Sequence, residues 1–263
     1  MKNQRTTFLG FPFIVILLAL CFVGCKEKEV SNDITSQVIE KHEGTAKDSV
    51  LISIEFPQCE NKQLCTAIVE SLNEELGGSY DGDYLDYEAF INHYLNNYLN
   101  ELKQNRGEWD AESEYSKELK VTKRYETDKL VTYEVSTYDY MGGAHGFGLF
   151  YGITFRKSDG RTMGMNVLNS QYGDEVWNTY IKDGLMEYFE VSTESELGEN
   201  LLDTETYMIP MPQFEPYFSE NGLEFIYQSY EIAAYAAGRP CFTIPYDKLH
   251  PYLNTTGRRL LDK

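Results

Sequence analysis

Basic side chains are scarce in this chain: 23 Lys and Arg stand against 42 Asp and Glu, a formal net charge of −19. Nucleic-acid binding draws its affinity from Lys and Arg that release counterions from phosphates, so this balance excludes it. A basic protein partner suits the field better. Histidine is rarer still, with four copies, and neither an HExxH array nor a GxSxG elbow is present. The five cysteines include no CxxC pair, which removes support for a zinc ribbon or a dithiol redox centre. No metal and no cofactor are expected. There is no repeat at solenoid spacing. Aromatic residues, by contrast, are plentiful, with 21 Tyr and 14 Phe. Hydrophobic residues at 42% beside 25% charged residues rule out a disordered or many-pass membrane chain. A body of this size buries roughly 70% of its unfolded surface and needs neither metal nor disulfide to fold.

The one long apolar run lies at the start. Lys2 and Arg5 precede Phe8 to Val23, and Gly24-Cys25 close the run. A basic leader, a short apolar core and a small residue before the cut mark a secretory signal. At about 16 residues the run is at or below bilayer-spanning length. Phe22-Val23-Gly24-Cys25 resembles a bacterial lipobox, with Cys25 as the lipidated residue and residues 1–24 as the signal peptide. An uncleaved signal anchor is the alternative. Cleavage there leaves a body with a charge near −21, attached to the membrane only through its N-terminal lipid. Lys26-Glu27-Lys28-Glu29 and the polar residues that follow read as a tether over residues 25–47. Charged residues directly after a lipidated Cys resemble the tails that route some lipoproteins to the cell surface. The expected location is therefore the bacterial cell envelope, periplasmic or at the surface.

Cys59, Cys65 and Cys241 remain in the body. Cys59 and Cys65 bracket the start of an expected helix. A disulfide between them would contribute about 2 kcal/mol through chain entropy, and two free thiols are the equally simple alternative. Cys241 sits in an apolar strand and is expected to be a buried, inert thiol.

Hydrophobic periodicity outlines the elements. Leu51 to Phe56 reads as a strand stopped by Pro57, and Leu64, Ile68, Leu72 and Leu76 mark a helix ended by Gly77-Gly78. Tyr87, Ile91, Leu95, Tyr98 and Leu102 mark a second helix, with Asp81, Asp83 and Asp86 near its N-terminus. A meander follows: Tyr115 to Tyr125, a turn at Thr127-Asp128-Lys129, Val131 to Thr137, then Phe147 to Phe155 in period two. Trp177, Ile181, Leu185 and Phe189 define a third helix. Asn221-Gly222 is a strong hairpin signal before Leu223 to Tyr227. Cys241 to Ile244 is a last strand, ended by Pro245, and Tyr246 to Leu249 open a short helix. Helices and antiparallel hairpins are segregated, so the fold class is α+β, in two small interlocked halves.

Several of these segments carry a family likeness. Tyr140-Met141-Gly142-Gly143-Ala144-His145-Gly146, the Asp159-Gly160 turn, Tyr230 to Gly238 and Ile244-Pro245-Tyr246-Asp247-Lys248-Leu249 resemble the RsiV-like extracytoplasmic domain family. That domain also accompanies the catalytic domain of PdaC-type peptidoglycan deacetylases and forms stand-alone bacterial lipoproteins of unknown function. The resemblance places an RsiV-like domain over residues 140–263 and its PdaC-like companion over residues 48–139. It implies a binding platform, lysozyme-binding in RsiV itself. The cytoplasmic sigma-binding segment and the deacetylase domain of those hosts have no counterpart here, so neither output is expected.

Weighed singly, the chemistry-bearing residues favour binding over catalysis. His145 could centre a cell-wall hydrolase, but it lacks an evident nucleophile or metal partner. Gly142 and Gly143 then serve a strand crossover through positive φ, with His145 bonding backbone. Asp81, Asp83 and Asp86 lack the Gly and distal Glu of a calcium loop. Glu134 and Asp139 fall on opposite faces of one strand, which weakens a paired-carboxylate site. Tyr207, Tyr217, Tyr227 and Tyr230 offer flat faces with polar tips for a sugar or a protein anchor. Tyr235, Pro245 and Tyr246 belong to the family-like segments and are expected to be structural. The expected function is a non-enzymatic, lipid-anchored envelope binding module. Its partner would be a basic, lysozyme-type protein or a cell-wall glycan.

Overall fold

The computed structural model describes residues 30–106, 113–203 and 208–261. Cys25, the lipobox and Tyr207 lie outside them.

The first strand, β1 (Ile34–Gly44), pairs antiparallel along its whole length with β2 (Asp48–Cys59). Within the stretch read as a tether, residues 25–47, residues 34–44 are thus an edge strand. Only Ile34 and Ile39 of β1 are buried, so its composition is that of a linker while its backbone is held as an edge strand. Its charges suit that position, since charged edges resist unwanted pairing. β2 also runs through Pro57 rather than stopping there. β3 pairs with β2 only as far as Ile54, so at Pro57 the missing N–H faces no second ladder.

Helix α1 (Lys62–Glu75) starts at Asn61, whose side chain accepts from Leu64 N–H at 3.3 Å. Helix α2 (Tyr87–Asn105) is capped by Asp86, which accepts from Ala89 N–H at 3.0 Å, and Asp83 accepts from Leu85 N–H at 2.9 Å. These acidic residues are helix-start devices. The two helices carry the chain back to β3 (Tyr115–Glu126), which pairs parallel with β2, the one parallel pair in an otherwise antiparallel arrangement. β4 (Leu130–Tyr140) and β5 (Phe150–Arg156) complete a five-stranded sheet ordered β1-β2-β3-β4-β5. The expected boundary at residues 139 and 140 therefore falls inside one sheet: β5, assigned to the second half, pairs with β4.

The inner face of this sheet meets α1 and α2 in one core that includes Phe56, Ile68, Phe90, Tyr94 and Tyr133. Burying this many large side chains at about 25 cal/mol per Å² drives the assembly. Two of its tyrosines place their hydroxyls on partners, whereas the buried Tyr133 hydroxyl has none among the described residues. Tyr94 donates to Asn73 Oδ1 at 2.6 Å, and Tyr87 donates to the Pro57 carbonyl.

After β5 come α3 (Asp174–Tyr188) and α4 (Glu194–Asn200), the latter with a Thr193–Glu196 capping box. A second sheet, β6 (Tyr217–Phe218), β7 (Gly222–Ile226) and β8 (Cys241–Pro245), is ordered β6-β7-β8 around the expected Asn221-Gly222 turn. Short helices α5 (Tyr246–Leu249) and α6 (Thr255–Leu261) end the described chain. The fold is α+β, mostly antiparallel, with two sheets and six α-helices among the described residues.

Two side-chain clamps fasten the second sheet to the first. Thr132 on β4 donates to the Phe218 carbonyl at 2.7 Å, and Thr154 on β5 accepts from Phe218 N–H at 2.9 Å. Gln228 accepts from Phe150 N–H at 2.9 Å and donates to the Phe150 carbonyl at 2.8 Å, imitating a strand pair.

Candidate functional site

The loop after β4 and the segment after β7 meet on one surface. β4 ends at Tyr140 and the chain returns at Phe147, which exchanges both backbone bonds with Asp139 at 2.7 and 2.9 Å. Gly142 and Gly143 take φ of +83° and +92°, values L side chains rarely adopt. At Gly146 a Cβ would sit 2.5 Å from the Tyr138 ring, where the Gly146 N–H instead donates to the Tyr138 hydroxyl at 3.2 Å. The loop is thus fixed rather than free, and it presents His145 outward.

His145 Nδ1 donates to the Gly146 carbonyl at 2.9 Å, and Nε2 lies 3.5 Å from the Tyr230 hydroxyl. The imidazole stacks on Tyr235 with centroids 4.0 Å apart and planes 15° from parallel. Tyr230 leans over the same pair, 6.4 Å from His145 and 5.5 Å from Tyr235. Tyr230 holds φ at +70°, a strained conformation for a bulky residue. Gln228 and Glu231 hold it there: the Glu231 carboxylate accepts from Gln228 N–H at 2.7 Å, and Gln228 is clamped to Phe150.

Tyr138, Phe147 and Tyr230 are 37%, 47% and 51% exposed, three of the seven exposed large apolar residues in the described chain. Their gathering on or beside one loop pair is a patch rather than the usual scatter. Arg239 borders it, with one nitrogen 3.4 Å from the Gly148 carbonyl and its guanidinium 5.8 Å from the Phe150 ring centroid.

Of the other expected ligand-binding tyrosines, Tyr217 and Tyr227 do not join this surface. Tyr217 is 2% exposed and its hydroxyl, 3.4 Å from Glu134, is pushed above its ordinary range by burial and by the nearby Glu224 and Glu134 carboxylates. Tyr227 is fully buried and donates to the Pro210 carbonyl at 2.7 Å. Both are core residues, Tyr217 on the inward face of β6 and Tyr227 just past the end of β7. Tyr246 is half-buried and donates to the Ser219 carbonyl, while Pro245 closes β8. Tyr235, expected to be structural, packs beneath His145, and its hydroxyl lies 3.4 Å from the Gly146 carbonyl.

Cys59 and Cys65 form a disulfide. Cys241 is exposed, which corrects its reading as a buried thiol: β8 turns Ile244 inward and Cys241 and Thr243 outward, so the apolar neighbours misled. Asp139 pairs with Lys117 at 2.8 Å, and Glu134 lies 3.5 Å from Arg124, so each carboxylate has its own cation. No group of three or more His, Cys, Asp or Glu able to hold a metal occurs among the described residues. Sequence reasoning missed Phe147 and Tyr138 as surface residues. Gly146 and Gly148 flanking Phe147 were the available signal, because glycines leave room beside them.

The fold and this surface define a two-sheet α+β protein that displays a rigid aromatic face. Residues 43–148 match the family model described as "Deacetylase PdaC", and residues 166–247 match DUF3298, a family described as of unknown function. The chain thus joins a segment similar to the PdaC family to a segment similar to the DUF3298 family. A DUF3298 family protein from Bacteroides fragilis NCTC 9343 shares the fold at TM-score 0.67 and 20% identity, over 86% of this chain and 96% of that one. Another, from Pseudomonas aeruginosa PAO1, does so at TM-score 0.61 and 16% identity, over 85% and 95%. No curated protein matches the chain.

Proposed function

We propose that this protein is a non-enzymatic binding module of the bacterial cell envelope, anchored by a lipid on Cys25, and that the His145–Tyr230–Tyr235 face is its recognition surface. The carrying observation is the Tyr230 ring, half exposed and held at positive φ against its neighbours. Exposed aromatic rings held in one geometry lose little entropy on binding and make effective anchors. No helix among the described residues is long and apolar enough to cross a membrane, and PdaC-type domains are extracytoplasmic, in keeping with attachment through the N-terminus.

A basic, lysozyme-type protein is the partner to test first, because the resemblance to the RsiV ectodomain and the net charge of −19 both favour it. Calorimetric titration of residues 26–263 with lysozyme at low and physiological salt, with cytochrome c as a basic control, is the direct experiment. Saturable binding to lysozyme alone that survives physiological salt, and weakens about tenfold or more in Tyr230→Ala, supports the reading. Binding to both proteins that vanishes with salt overturns it. The flat faces of Tyr230 and Tyr235 also suit a sugar ring. Depletion of the protein by purified sacculi, lost in Tyr230→Ala, would shift the partner to cell-wall glycan. A hydrolase centred on His145 is discarded if a folded His145→Ala protein matches wild type in a broad hydrolase screen.

A further inference from the structure

The second sheet ends in an open edge that faces a groove. Tyr227 N–H donates to the Pro240 carbonyl at 2.8 Å. Hydrogen-bonded and non-bonded pairs alternate along an antiparallel ladder, and Phe225 and Leu223 oppose Phe242 and Ile244. Those pairs therefore exchange the β7–β8 bonds. Cys241 and Thr243, opposite Ile226 and Glu224, turn their N–H and C=O groups away from β7. No strand lies on that side of β8, and no hydrogen bond among the described residues occupies those four groups.

The edge does not simply face open water. It borders a groove of about 480 Å³ whose other wall is α3, with Tyr180, Asp183, Glu187 and Tyr188 beside Gly184, which packs on the Phe242 ring. Asp183 and Glu187 are exposed, one helical turn apart on one face, and neither forms an ion pair with a cation among the described residues. Tyr188 is tied by its hydroxyl to the Ala237 carbonyl at 2.7 Å, so the wall is anchored to the segment that leads into β8.

We infer that this groove receives an extended, Lys- or Arg-bearing segment of a partner protein, which adds as a fourth strand to the β8 edge. Cys241 and Thr243 supply the backbone bonds, and every second side chain of the segment faces α3. The two tyrosines give its stems apolar contact, while Asp183 and Glu187 meet its cationic ends. Charge complementarity selects a basic segment over an acidic one, and the single Lys248 at the groove's end does not reverse that balance. The site is separate from the His145 face and does not depend on it.

The test uses residues 26–263 and an acetylated, amidated peptide of about eight residues alternating Lys and Val, long enough to span a strand. Amide hydrogen exchange reads the site. The Lys-Val peptide is expected to slow exchange at Cys241 and Thr243. A copy N-methylated on one edge should lose that protection, as should a Glu-Val copy. Asp183→Lys with Glu187→Lys should weaken binding about tenfold. Thr243→Pro, which removes an outward N–H at an edge position, should weaken it comparably without breaking the β7–β8 ladder. Tyr230→Ala should leave it unchanged, which separates failure here from failure of the aromatic face. Equal binding by the methylated or the Glu-Val peptide, protection at β1 instead, or none at all would overturn the inference. So would protection of the same amides in concentrated protein alone, since the occupant would then be a second copy.

Discussion

Residues 34–156 and residues 157–261 differ in how they hold their shape. The first region is a sheet with strands of 7–12 residues, covered by two helices of 14 and 19 residues and filled by a single aromatic-rich core. The second has strands of two to five residues and two smaller apolar clusters. It borrows order from the first through Thr132, Thr154 and Gln228, whose side chains do what ladder bonds do elsewhere. The comparison teaches a division of labour. A regular region needs little from outside and makes a base. The irregular one can place a strained tyrosine at the surface because its backbone is pinned onto that base.

Three changes sharpen or break this contrast, and the largest effect belongs to the first region. Lys157 is nearly inaccessible and bonds Glu126 at 2.7 Å, while Lys123 bonds the other Glu126 oxygen at 2.9 Å and the Ile34 carbonyl at 2.9 Å. Burial alone would push the Glu126 carboxyl up, but the two lysines outweigh it and hold it below its ordinary range. Glu126→Gln leaves a buried ammonium without its anion and is expected to cost about 3 kcal/mol at pH 7, measured by urea unfolding. A carboxyl lowered in the folded state stabilises above its unfolded pKa and loses that contribution as pH falls through the folded value. Wild-type stability should therefore fall more steeply than the variant's below about pH 4.5. Parallel curves would remove the ionic lock from the account.

Next comes the clamp between the regions. Gln228→Ala strands the Phe150 N–H and carbonyl and should cost about 2 kcal/mol. Exchange should quicken in residues 228–238 and at Phe150 while α1 and α2 stay protected. Uniform loosening would mean that the two regions do not differ as described.

The smallest effect is also the most diagnostic. Tyr230→Gly removes a positive-φ strain and should stabilise by about 1 kcal/mol in thermal unfolding, while weakening whatever the aromatic face binds. A destabilised variant would show that the ring is packed for structure and is not held for display.

Much of the first region was legible in the sequence, and the reason lies in its periodicities. Leu64, Ile68 and Leu72 repeat at helical spacing because α1 buries one stripe, and Tyr115 to Tyr125 alternate because β3 buries one face. Asn221-Gly222 announced its hairpin, although the turn runs from Ser219 to Gly222 and Asn221 takes no positive φ. β1 was not legible. A strand exposed on most of its surface has no pattern to distinguish it from a linker, and only its pairing with β2 reveals it. The tyrosines were equally opaque, since Tyr serves a core or a surface with the same chemistry. Tyr217 and Tyr227 went inward, Tyr230 outward, and nothing local separates them.

The sequence by itself determined the fold class, most helices and strands, the acidic field and the glycine-lined loop that carries His145. Each of these follows from local spacing or from simple charge. Tertiary structure alone decided that β5 closes the first sheet and that His145 lies on Tyr235. It also decided that Cys241 and Thr243 face an open groove. Those outcomes depend on which distant segments meet, and the energy of such meetings belongs to pairs of residues that no single stretch of chain contains.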